Sequence, residues 1–272
     1  MSWHFFGRAV PPVRARHSPK GDMRSDNPSA LPGSQAPSPW PLHVAGQNHL
    51  LQLLPAAERE RLLITMKRIK TQHGDVVFEC NQPINYVEFP LYGVISIVVE
   101  MQEGGIAEVG TVGSEGMAGV PLLLGTERTP NKAFYQVPGE TMRMSAAIFH
   151  KEIAARGPFE NIMRLHALCF LNQVSQSTAC NRLHAVEQRL CRWILMCHDR
   201  VGGRTVQLTQ NFLSQMLGVR RASVSVVAAT LQKAGFIRYR GGIIDVLDRA
   251  GLEESSCECY VVVRQEYERL LS

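Results

Sequence analysis

The apolar period of the chain changes once, near residue 150, and that change limits the fold more than any other feature. From Arg68 to Met144 apolar residues come in brief runs, such as Val76-Val77-Phe78, Tyr86-Val87-Glu88-Phe89, Val94–Val99 and Ala133–Val137. Between them fall His73-Gly74-Asp75, Gln102–Gly105, Gly110–Gly119 and Pro138-Gly139. Short strands at this spacing predict an antiparallel β-roll or jelly roll. From Pro158 the period is helical. Ile162, Leu165, Leu168, Cys169 and Leu171 fall at three- and four-residue steps, ahead of a more polar stretch to Asn181. A second helix is expected over about His184–Arg200, with Leu190, Trp193 and Ile194 on it and a stop at Gly202-Gly203. A short helix, roughly Ala56–Lys67, precedes the strands. The chain is α+β.

The first 41 residues hold eight of the fifteen prolines, at 11, 12, 19, 28, 32, 37, 39 and 41. Proline removes backbone donors, and a Pro/Ser-rich polar segment has little core to bury, so 1–45 is expected to be a disordered extension. Met23 within it is an alternative start to Met1. No stretch approaches the ~20 apolar residues that cross a bilayer, and the N-terminus has no apolar signal region. The reading is a cytoplasmic protein with no membrane partner.

Seven cysteines, an odd number without C-x-x-C pairs, imply no disulfide framework. Cys257 and Cys259 form a C-x-C, while Cys191, Cys197 and His198 lie in a helical pattern. Structural zinc sites show tighter paired spacing, so these are read as reduced, packed thiols and no metal is expected. A metal-dependent barrel enzyme is also disfavoured. Between Arg68 and Ile148 the only histidine is His73, in a turn, and no Gly-x-Ser-x-Gly, P-loop or His-Glu-x-x-His occurs. The chain is not expected to be an enzyme.

Charge points to a partner. The net charge is +5, and no acidic residue occurs from Arg200 to Ile244, a window that holds Arg200, Arg204, Arg220, Arg221, Lys233, Arg238 and Arg240. Such a window suits a polyanion. It coincides with Leu208–Ile237, LTQNFLSQMLGVRRASVSVVAATLQKAGFI. Thr209 can cap a helix running to Met216 or Leu217, and Gly218 suits a left-handed turn after it. The next helix, about Arg220–Lys233, buries Val224, Val227, Ala228 and Leu231 on one stripe. Ala222, Val226 and Ala229 lie opposite, with Arg221 and Ser225 on the flank. This is a helix-turn-helix. Phe236–Arg240, Gly241-Gly242 and Ile243–Leu247 add a β-hairpin with a primed turn, hence a wing.

On these residues the chain from 46 to 272 resembles the cyclic-AMP receptor protein/FNR (Crp/Fnr) family of bacterial transcription regulators. Thr209, Gln215, Gly218, Arg221, Val224 and Leu231 match that family's motif without a gap, and His73–Phe78 resembles the opening turn of its roll. The resemblance implies a cyclic-nucleotide-binding-like β-roll at 46–157, a dimerisation helix at 158–182 and a winged helix-turn-helix at 183–272. It further implies a homodimer on an inverted repeat of double-stranded DNA, with RNA polymerase as a partner. The dimer seam is expected on Ile162, Leu165, Leu168 and Leu171, with Asn172, Ser175 and Thr178 continuing it in polar form.

Arg221, Ala222, Ser225 and Val226 are expected at base edges; Thr209, Arg220, Ser223, Arg238 and Arg240 at phosphates. The cyclic-AMP receptor uses Arg, Glu and Arg on this helix, so Arg221, Ala222 and Val226 imply a different half-site. In the roll, Glu115, Gly116, Arg128 and Thr129 are the candidate effector residues. They follow the family's phosphate cassette imperfectly, since Gly-Glu is out of register in Ser114-Glu115-Gly116-Met117, and cyclic nucleotide is one candidate ligand only. The first cysteine is Cys80, so the N-terminal iron–sulfur ligands of FNR-type sensors are missing and no such cluster is expected. The competing readings are a sensor or scaffold module that does not bind DNA, and a β-barrel enzyme.

Overall fold

A computed structural model of the chain describes residues 46–201 and 205–272. The expected N-terminal extension, 1–45, and the expected helix stop at Gly202-Gly203, with Arg204, lie outside the described residues. The elements in order are α1 (His49–Gln52), α2 (Ala56–Thr65), β1 (Lys67–Lys70), β2 (Val76–Phe78), β3 (Tyr86–Glu100), β4 (Ile106–Val112), α3 (Val120–Leu123), β5 (Asn131–Ser145) and α4 (Ala146–Ala154). There follow α5 (Pro158–Leu183), α6 (Val186–Val201), β6 (Thr205–Gln207), α7 (Gln210–Leu217), α8 (Arg221–Lys233), β7 (Ile237–Arg240), β8 (Ile243–Val246), α9 (Arg249–Ser255) and α10 (Cys259–Leu270).

The roll is one antiparallel sheet in the order β1-β5-β3-β4, with β2 also on β5. Its strands are longer than the sequence pattern implies. β3 and β5 run fifteen residues each, β3 straight through Pro90 and β5 through Pro138-Gly139, the latter a break suggested by the sequence. The ladder shifts register between Pro90 and Ile95 instead of ending. At that crossing a Cβ on Gly139 would sit 2.0 Å from the Tyr92 carbonyl oxygen, so the glycine permits close backbone approach. β4 likewise runs through Gly110, where a Cβ would lie 2.8 Å from the Phe170 ring. Here too glycine signals contact and not a turn.

Two large apolar cores result among the described residues. One fills the roll with Leu50, Leu62, Phe89, Tyr135, Phe149, Phe159, Met163 and, from the end of the chain, Tyr267 and Leu271. The other joins Val94, Val98 and Val137 on the sheet to Leu190, Trp193, Ile194, Leu213, Met216, Val224 and Leu231. The helix-turn-helix therefore packs directly on the roll. Two helices after the wing, α9 and α10, had no sequence expectation. The longer, α10, lies along α5, and a ring nitrogen of His49 is 2.6 Å from the Leu271 carbonyl oxygen.

The expected seam on α5 is divided. Ile162 is buried in the roll core and Leu165 packs against it, whereas Leu168 and Leu171 are 42% and 59% exposed. The stripe that α5 buries is Phe159, Met163, His166, Cys169, Gln173, Ser177 and Cys180. Apolar residues occur on more than one side of this helix, so spacing alone could not say which side the roll would take. Two of the polar members bond to the roll: Gln173 Nε2 donates to the Thr111 carbonyl at 2.8 Å, and His166 Nε2 accepts from the Met117 amide at 3.2 Å.

Candidate nucleic-acid interface

The helix-turn-helix forms as the local chemistry dictates. Thr209 Oγ1 accepts from the Phe212 amide at 3.2 Å and caps α7. Gly218 closes it in the left-handed conformation, φ 60°. α8 then buries Val224, Ala228 and Leu231. That leaves Arg221, Ala222, Val226 and Ala229 exposed on its outer side, with Val226 at 67%. The wing is β7 and β8, joined by Gly241 (φ 60°) and Gly242 (φ 80°), both in the positive-φ region that a primed turn needs. β6 extends the wing sheet on the other side of β8. Tyr239 fastens the wing down by donating from its hydroxyl to the Leu208 carbonyl at 2.7 Å. A shallow concavity between helix and wing is lined by Thr209, Gln210, Arg221, Ser225, Gln232 and Tyr239.

Several expected residues are engaged within the chain. The Ser225 hydroxyl donates to Gln210 Oε1 at 2.8 Å, which ties α8 to α7. Arg238 pairs with Asp245 across the wing at 3.1 Å. Arg200, counted in the basic window, leaves the surface altogether: it is 1% exposed and ion-paired with Glu115 at 2.8 Å. Among the described residues, the exposed cations around α8 and the wing are Arg220, Arg221, Lys233, Arg238 and Arg240.

The candidate effector residues do not converge. A cavity of about 320 Å³ in the roll is lined by Arg128, Thr129, Thr126 and Asn131 beside apolar Phe78, Ile97, Val112 and Leu124. Glu115 and Gly116 lie outside that lining. The Glu115 carboxylate faces Arg200, and Gly116 packs on His166, whose ring a Cβ would meet at 2.6 Å. Of the expected four residues, Arg128 and Thr129 line this cavity and Glu115 and Gly116 do not. Sequence adjacency to Gly116 could not reveal that Glu115 is held by a helix 85 residues later.

The expected grouping of cysteines also changes. Cys191 is buried, its thiol pushed up to about 12 by that burial. Cys197 accepts from Gln136 Nε2 at 3.2 Å, and His198 Nδ1 lies 3.0 Å from Arg249. Cys257 and Cys259 instead meet Cys180 and His184, at the end of α5. Cys180 and His184 are four residues apart, a spacing readable as one helix face, but no local signal links them to the C-x-C.

Comparison with known proteins agrees with this arrangement. Residues 188–255 match the family model described as a Crp-like helix-turn-helix domain. The c-di-GMP-responsive global regulator CLP of Xanthomonas campestris is similar in structure, with TM-score 0.55 at 18% identity over 71% of this chain and 99% of that one. FixK2 of Bradyrhizobium japonicum gives TM-score 0.59 at 11% identity, over 71% and 98%. A CRP/FNR-family transcriptional regulator of Thermus thermophilus gives 0.54 at 19%, over 70% and 98%. No curated protein matches the chain significantly. At these identities the structural likeness establishes the fold: a Crp/Fnr-type β-roll, long helix and winged helix-turn-helix. Among the described residues no helix is long and apolar enough to cross a membrane.

Proposed function

We propose that this chain, with its Crp/Fnr-type fold and Crp-like helix-turn-helix, is a sequence-specific DNA-binding transcription regulator that acts in the cytoplasm as a homodimer on an inverted repeat. The carrying observation is the outer side of α8. Val224, Ala228 and Leu231 are buried while Arg221, Ala222 and Val226 stand exposed beside a cationic wing. Arg221 at the start of α8 suits a bidentate contact with guanine O6 and N7, and Ala222 and Val226 suit apolar contact such as a thymine methyl. Thr209, Arg220, Ser223, Arg238 and Arg240 serve as phosphate contacts that set the helix in the groove. The engaged Ser225 hydroxyl assists by holding α8 in place. RNA polymerase is the downstream partner by family resemblance.

Dimerisation uses the exposed side of α5. Leu168, Leu171, Ala167 and Val174 line an apolar groove with Val99, Val109 and Leu124, and Leu124 is 72% exposed. Two such faces bury each other and place the two α8 helices on half-sites about 34 Å apart, or a multiple of that spacing. An effector enters the roll cavity at Arg128 and Thr129 and acts only by binding one arrangement of the winged helices better than another.

Selection from random double-stranded DNA followed by gel shift over a salt series tests the reading. Recovery of a palindromic site bound with a steep salt dependence supports it. Retardation that is absent, or equal for all sequences, overturns it in favour of a sensor or scaffold. Calorimetry with cyclic AMP, cyclic GMP and cyclic di-GMP tests the cavity; the last is included because the Xanthomonas relative responds to it.

A further inference from the structure

We infer that Cys180, His184, Cys257 and Cys259 form a zinc site that clasps the end of α5 to the start of α10. Their ligand atoms all lie within 4.8 Å of one another. Cys180 Sγ is 3.5 Å from Cys257 Sγ, and Cys259 Sγ is 3.5 Å from His184 Nδ1. A tetrahedral zinc with Zn–S of about 2.3 Å and Zn–N of about 2.0 Å holds its sulfurs about 3.8 Å apart and S···N about 3.5 Å apart, so one ion fits with small adjustments. A polynuclear iron–sulfur cage needs its thiolates spread more widely. Three thiolates and an imidazole select a borderline-soft tetrahedral cation over magnesium or calcium.

The surroundings fit a metal better than packed thiols. The three cysteines are buried as a group of their own, separate from both apolar cores. His184 turns Nδ1 to the thiols and Nε2 to Glu258 Oε1 at 3.2 Å. That is the arrangement in which a carboxylate fixes the ring of a metal-bound histidine. Gln176 Nε2 donates to Cys259 Sγ at 3.1 Å, a second outer contact. Zinc with three thiolates and a neutral histidine carries one negative charge. The buried Arg189 lies in electrostatic contact with Cys180 and Cys257, and Arg192 with the same thiols. The Nε atoms of both arginines have no hydrogen-bond partner among the described residues. The net negative charge of a thiolate-bound zinc offsets part of the positive charge of these two buried guanidiniums.

The site stands at a joint. His184 caps α5 through its amide to the Cys180 carbonyl, and only Ala185 separates it from α6 and the DNA-binding helices. Zinc there fixes α10 against α5 beside the point where the chain enters the winged helix.

The test is metal content and cobalt spectroscopy on the full chain purified under reductant without chelator. About one zinc per chain is expected, together with the intense visible and near-ultraviolet bands of tetrahedral thiolate-bound cobalt after exchange. Cys257→Ser with Cys259→Ser should abolish both, while Cys80→Ser should leave both intact. A strong chelator should speed hydrogen exchange across α10 in the wild type. The inference fails if the wild type binds neither zinc nor cobalt tetrahedrally, if the double variant retains the metal, or if Cys180 and Cys257 are found disulfide-linked in its place. None of these readouts depends on DNA binding.

Discussion

Arg200 on α6 and Glu115 in the loop before α3 form a buried ion pair that ties the helix preceding the helix-turn-helix to the roll. The Glu115 carboxylate receives Arg200 Nη2 at 2.8 Å and Nε at 3.1 Å, and the Gly113 amide at 3.0 Å. Arg200 Nη1 adds a bond to Thr111 Oγ1 at 3.0 Å. Gly113 makes room for the arginine, since a Cβ there would come within 2.4 Å of Arg200 Cδ. Burial pushes the Glu115 carboxyl up, but the guanidinium outweighs it and holds the group below the usual carboxylate range. Removing one partner of such a pair strands the other charge.

Glu115→Gln should therefore destabilise the protein by about 3–5 kcal/mol, measured by urea unfolding. The double change Glu115→Leu with Arg200→Met should recover most of that loss. A single-variant loss below about 1 kcal/mol would mean that water reaches the pair.

At the proposed DNA surface, two arginines should separate by role. Arg221→Ala should lower affinity and flatten the preference at one guanine per half-site, by about 1–3 kcal/mol. Arg240→Ala should weaken all sequences nearly equally and reduce the salt slope by about one phosphate per subunit. Binding-site selection on each variant checks this. An unchanged base preference in Arg221→Ala would mean that α8 is oriented differently in the groove.

If the proposed dimer forms through the exposed side of α5, Leu171→Glu should give a monomer in sedimentation at micromolar concentration where the wild type is dimeric, without lowering the melting temperature of the subunit. Ile162→Ala should do the reverse. Its side chain lies inside the roll core, and a cost of about 2–4 kcal/mol in folding is expected with the assembly interface itself unaltered.

Glu108 sits between roll and α6, where Ser96 Oγ donates at 2.7 Å and Trp193 Nε1 at 2.8 Å. Burial raises its pKa from 4.5 to about 7. The folded state thus holds a proton that the unfolded state releases, so this group costs stability progressively as pH rises from 4.5 to about 7. Glu108→Gln should match the wild type below that window and exceed it above, by ~3 kcal/mol. His166 works the other way. Burial lowers its pKa from 6.5 to about 4, and its contribution is lost as pH falls through that interval. Urea melts of the Glu108→Gln variant across pH isolate the first effect. A pH-independent difference would show that Glu108 stays charged when folded.

The helix-turn-helix was the most legible part, because its determinants are local. Thr209, Gly218 and Gly241-Gly242 act within one turn of themselves, and the spacing of Val224, Ala228 and Leu231 determines which side of α8 stays outside. The β-roll was legible as a class but not in detail. Gly110 and Gly139 look like turn residues in sequence, yet each serves a close approach to an aromatic ring or to another backbone that is far away along the chain.

By itself, then, the sequence determined the order of roll, long helix and winged helix, the exposed side of α8 and the cationic character of that end. Only the tertiary structure decided which side of α5 faces the roll, that Arg200 leaves the basic surface for Glu115, that Glu115 parts from Arg128, and that the C-x-C meets Cys180 and His184. The division follows range. Hydrophobic period and capping are read over a few residues. The partner of a buried charge or thiol is set by which elements pack together, and for Glu115 and Arg200 that partner lies 85 residues away.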